Sequence, residues 1–157
     1  MSLHLQTTDI AALDDAQRVA VLEAMLAGMI ADNRITASES RRFDEIVLAL
    51  PWGVDRAVLD AMIAGAKQRL LALRTQAEIQ DHVAALAARI PSPELRDKVV
   101  FTMATLMLAD GELAQIEKNV LGLFVVSFGI TRERAAAIRE ALHIPPKHDA
   151  APEPEPN

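Results

Sequence analysis

The chain has 157 residues, one domain's worth of polypeptide and enough to bury roughly 68–70% of its unfolded surface around a single core. Hydrophobic residues make up 51% of it but aromatics only 3%, so the core must be built from Ala, Leu, Ile, Val and Met, a composition that predicts an all-α fold. Sixteen Lys and Arg against 22 Asp and Glu give a net charge of −6, which argues against nucleic acid and anionic membranes as partners; with no cysteine there is no disulfide, thiolate nucleophile or sulfur-ligated metal centre.

Residues 1–13 read as an N-terminal segment. Met1 to Gln17 contains no Lys or Arg and is broken by Thr7, Thr8, Asp9, Asp14 and Asp15, so no signal peptide is expected and the cytoplasm is the expected location. The helical domain is expected over residues 14–142. Its first helix starts near Asp9 or Asp14 and runs to Asp32, with Val19, Leu22, Leu26, Met29 and Ile30 at helical spacing and Ala16, Ala20, Ala24, Ala27 and Gly28 as small faces. Glu23 lies inside this apolar helix, where an unpaired buried carboxylate is costly.

The next helix spans Thr36 to about Leu50, with Phe43, Ile46, Val47 and Leu50 inward, and Pro51 stops it. Trp52, in the Pro-Trp-Gly turn, is expected to plug a gap between helices. Asp55 caps a third helix carrying Val58, Leu59, Met62, Ile63, Leu70 and Leu71, and Thr75-Gln-Ala-Glu78 opens a fourth through Val83, Leu86 and Ile90. Ser92-Pro93 starts a fifth, apolar almost all round from Val99 to Leu108 and a candidate for the centre of the bundle. A sixth runs from Ala114 to about Ser127, closed by Gly129, and Thr131 caps a seventh ending near Leu142. The apolar runs Val19 to Ala31 and Val99 to Ala109 are far shorter than the roughly 18–20 residues of a membrane span. Residues 143–157 are rich in Pro and acid and are expected to be a disordered tail.

One stretch occurs twice. Ala109-Asp110-Gly111-Glu112-Leu113-Ala114-Gln115-Ile116-Glu117 echoes Ala31-Asp32-Asn33-Arg34-Ile35-Thr36-Ala37-Ser38-Glu39, and an offset of 78 also aligns Phe43 with Leu121 and Ile46 with Phe124. A fixed offset marks an internal duplication, so two related halves are expected. Each copy ends an apolar helix with Asp, turns at Gly111 or Asn33, and sets a Glu in the first turn of the next helix. Thr36 and Glu39 form a capping box, whereas Ala114 leaves Glu117 without a hydroxyl partner. The Asp residues sit against the negative end of a helix dipole, so a helix N–H, a basic side chain or a cation should compensate them.

These residues resemble the TerB-like tellurite-resistance proteins, whose hallmark is an apolar helix ending in Ala-Asp-Gly followed by a Glu in the next helix. Leu108-Ala109-Asp110-Gly111 with Glu117 carries that pattern, and Ile30-Ala31-Asp32-Asn33 with Glu39 matches with Asn for Gly. The resemblance covers about residues 14–142. It implies a compact single-domain bundle of about seven helices, a role in tellurite or envelope-stress responses, and acidic residues that hold a metal.

The candidate metal ligands are therefore Asp32, Glu39, Asp110 and Glu117, with Glu112 beside them. Hard cations such as Ca²⁺ and Mg²⁺ take several carboxylate and carbonyl oxygens, which two related turns can supply, although neither loop has the EF-hand pattern. On the residues alone, capping and turn formation explain the same positions. His4, His82, His143 and His148 show no zinc-site spacing and read as solvated surface histidines. No nucleophile elbow, phosphate loop or dinucleotide fingerprint appears, so a non-enzymatic protein is expected. The competing reading is a metal-independent helical module that engages a protein partner through a groove or the tail.

Overall fold

The structure is a computed structural model that describes residues 3–30, 35–111 and 113–143; of these, the Asp110 side chain is left aside. The expected Asn33 turn, His148 and nearly all of the tail lie outside the described residues. Among those described there are eight α-helices, one more than the sequence pattern predicts: α1 (Thr7–Ala11), α2 (Asp15–Ile30), α3 (Ala37–Leu48), α4 (Arg56–Leu71), α5 (Gln76–Arg89), α6 (Pro93–Met107), α7 (Gln115–Ser127) and α8 (Arg132–Ala141), with a 3-10 turn at Leu108–Asp110. The extra element is α1, which lies in the N-terminal segment, and of the two expected starts of the first long helix the structure takes Asp14 rather than Asp9. The Asp14 carboxylate accepts from the Gln17 N–H at 2.8 Å while the Gln17 side chain accepts from the Asp14 N–H, a reciprocal cap that starts α2 afresh and leaves α1 as a separate turn.

The other helix starts follow the expected caps. Thr36, Asp55, Thr75, Ser92 and Thr131 each accept a backbone N–H three residues on, and Pro93 occupies the first position of α6. Gly129 takes φ +66 and closes α7 with Gly129 N–H to Val126 O and Ile130 N–H to Val125 O, the paired bonds of a Schellman end.

Two helices, α2 and α6, are buried along most of their length and pack on each other more extensively than any other pair. They approach closely because Gly28 faces Met107: a Cβ at Gly28 would lie 3.1 Å from Met107 Cε. α4 packs on α2, α5 on α2 and α7, α7 on α6, α8 on α6, and α3 on α6 and the 3-10 turn. Trp52 fills the end of the first half as expected, buried, with its indole N–H donating to Val47 O at 2.8 Å.

The duplication is visible in the structure through two arginines. Arg18 donates from Nε to Ile10 O, from Nη2 to Ala11 O and from Nη1 to Trp52 O. Arg96, 78 residues later, donates from Nε to Ile90 O, from Nη2 to Ala87 O and from Nη1 to Phe128 O. Each guanidinium thus holds the frayed carbonyls of the helix before it and the turn two helices on. Past that turn the offset falls to 76, pairing Trp52 with Phe128, Gly53 (φ +75) with Gly129 and the cap Asp55 with Thr131, because the second turn is two residues shorter.

Candidate functional site

The second acidic turn lies against the first half of the chain. The 3-10 turn carrying Asp110 continues α6 and packs against α3, the helix that carries Glu39. Gly111 follows with φ +98, its N–H returning to Leu108 O at 2.8 Å, so this residue takes the left-handed conformation expected of it. Glu39 and Glu117 occupy the same position in the first turns of α3 and α7, and both are buried, 3% and 5% exposed.

Their local bonding differs as the sequences differ. In α3 the Thr36 hydroxyl accepts from the Glu39 N–H at 3.1 Å and donates to Glu39 Oε1 at 3.0 Å. In α7 Ala114 has no side-chain acceptor, and what remains is the return bond, Ala114 N–H to Glu117 Oε1 at 2.9 Å. Both carboxylates gain from a helix N-terminus. Asp32 lies outside the described residues, and the Asp110 side chain is not described. Among the described residues no three His, Asp or Glu side chains stand close enough together to hold a metal ion.

A second polar centre was not expected as an assembly. Glu23 is wholly buried in α2, and its carboxylate accepts from Arg69 Nε of α4 at 2.6 Å while Oε2 lies 2.9 Å from His82 Nε2 of α5. The reading of His82 as a lone surface histidine is thereby corrected, whereas His4 is exposed as expected, its ring meeting Phe101 edge-on at 5.0 Å. Both partners lie too far along the chain for spacing to reveal them. The available signal was Glu23 itself: a carboxylate on an apolar helix requires a cation from a neighbouring helix.

A third acid, Asp97 of α6, pairs with Arg134 Nε of α8 at 3.2 Å, while its Oδ1 is buried without a hydrogen-bond partner among the described residues. Burial raises its carboxyl above the ordinary range, Arg134 opposes that, and Glu94 adds to it.

No helix among the described residues is long and apolar enough to cross a membrane. A family model described as "Tellurite resistance protein TerB" matches residues 18–140, a span that contains both acidic turns, Glu23, Asp97 and both anchoring arginines. No curated protein and no solved structure matches the chain.

Proposed function

The chain belongs to the TerB tellurite resistance family, and from that premise we propose that it is a cytoplasmic, non-catalytic module that binds a hard divalent cation, Ca²⁺ or Mg²⁺, through its duplicated acidic turns and acts in a tellurite or stress response. The ligands in this reading are Asp32, Glu39, Asp110 and Glu117. The observation that carries it is the crossing of the halves, which sets the turn of Asp110 on the helix of Glu39 and buries the two equivalent glutamates. Carboxylate oxygens without sulfur or histidine suit a hard cation.

Calorimetric titration of chelator-stripped protein with Ca²⁺, Mg²⁺, Mn²⁺ and Zn²⁺, beside Asp110→Asn and Glu117→Gln, tests this. Saturable binding by the wild type that both folded variants lose is expected. No heat at millimolar ion would leave these carboxylates as helix caps.

A second reading, a metal-independent interaction module, is favoured by a groove of about 280 Å³ between α3 and α4. Its floor is apolar (Leu26, Met29, Phe43, Val47), and Ile35 and Leu48 at its edges are exposed.

A further inference from the structure

The groove of about 280 Å³ between α3 and α4 is close in size to a small-molecule pocket. α3 enters the connecting turn at Leu48 and α4 leaves it at Arg56, so these two residues mark one end of the groove. Ser40 of α3 and Lys67 of α4, the lining residues farthest from the turn on each helix, mark the other. Eight residues of helix separate Ser40 from Leu48, a length of ~12 Å. The floor is the buried core itself, Met29, Phe43 and Val47 among it.

The polar groups of the lining are unequally served. Arg56 and Asp60 pair with each other at 3.0 Å, and Asp44 is exposed to water. Lys67 differs, because it is half-buried and makes no hydrogen bond or ion pair among the described residues. An ammonium drawn partly out of water without an anion is a cost that a bound carboxylate reverses. The backbone groups of both walls are used within their helices, so the groove offers no ladder to a peptide strand. What suits it is a molecule that is apolar along its length and carries one anion, at the Lys67 end.

We propose that this groove binds a free medium-chain carboxylic acid, its carboxylate on Lys67 and its acyl chain lying over Met29, Phe43 and Val47 toward Leu48. Extended octanoate matches the length. This inference is independent of cation binding, and it fills with a small molecule the groove that a protein partner would otherwise cover.

The test is calorimetric titration of the full chain with octanoate, in chelator so that no cation at the acidic turns contributes. Saturable binding at one site is expected, weakened about tenfold by Lys67→Met, which keeps the aliphatic stem and removes the charge. Ala64→Trp, which fills the groove from an exposed position, should abolish it. Octanol, which lacks the anion, should bind the wild type and Lys67→Met alike, and that separates a carboxylate held by Lys67 from a groove reshaped by the substitution. Circular dichroism checks that both variants fold. No saturable binding overturns the proposal. So does octanoate binding that neither variant changes, or octyltrimethylammonium binding as tight as that of octanoate. Self-association in sedimentation that Ala64→Trp abolishes, without octanoate binding, would give the groove to a second copy. Binding to phosphatidylglycerol vesicles that Lys67→Met abolishes, without binding of the free acid, would give it to a membrane lipid. Either result overturns the proposal.

Discussion

Arg18 and Arg96, 78 residues apart, each brace their own half of the chain in the same way, the guanidinium fanning across the last carbonyls of one helix and the closing turn of another. Replacing either with Met keeps the aliphatic stem but leaves partly buried carbonyls without their donor, so each variant should lose about 1–3 kcal/mol in urea unfolding. Equal losses, additive in the double variant, are expected from sites that share no partner. An effect below about 0.5 kcal/mol at either would show that water serves those carbonyls equally well.

At Glu23 the order of effects is the prediction. Glu23→Met removes the buried charge and leaves Arg69, 48% exposed, free to turn to solvent, so the change should be near neutral. Arg69→Met with His82→Leu instead strands a carboxylate that water cannot reach, and should lose about 3 kcal/mol or more. The reverse order would mean that Glu23 is stabilised by something other than these two groups.

Asp97 gives a pH dependence of defined sign. Its folded pKa lies above the unfolded value of 3.8, so its contribution to stability is full below that value and is lost as pH rises through the folded one. Asp97→Asn removes this loss while still accepting from Arg134. The Tm difference, variant minus wild type, should therefore grow in favour of the variant between about pH 3 and about pH 7. A difference that shrinks over that range would contradict the assignment.

His143 ends α8 with φ +58, a left-handed conformation that a Cβ disfavours. His143→Gly should raise stability by about 0.5–1 kcal/mol, measured by thermal unfolding. Destabilisation would imply contacts of the imidazole that outweigh the backbone relief.

If the acidic turns bind a cation, ion at about 100 times its dissociation constant should stabilise the wild type by about 2.7 kcal/mol. Asp110→Asn and Glu117→Gln should abolish that increment, with Glu117→Gln lowering stability in chelator by no more than about 1 kcal/mol through the lost charge at the N-terminus of α7. A rise in Tm shared by wild type and both variants would mean that the ion binds elsewhere.

Much of this architecture was legible before any coordinates. The caps at Thr36, Asp55, Thr75, Ser92 and Thr131, the stop at Pro51, the left-handed Gly111 and Gly129 and the offset of 78 are local or periodic features, set by side-chain to backbone bonding within one turn or by simple repetition. The equivalence of Glu39 and Glu117 followed from the same periodicity. Local rules left two starts open for the first long helix, Asp9 and Asp14, and the reciprocal cap of Asp14 and Gln17 selects the second.

Partnership across the fold is a different matter. Glu23 meets Arg69 and His82 across 46 and 59 residues of chain, and no spacing rule selects those two from the other basic groups. His82 and His4 occupy equivalent places, yet one faces a carboxylate and the other a phenyl ring, because α2 and α6 differ at the position each histidine meets. Periodicity states which face of a helix is buried; only the crossing of helices decides which residue lies opposite, since that depends on axis angle and approach distance, and these are set by the whole core.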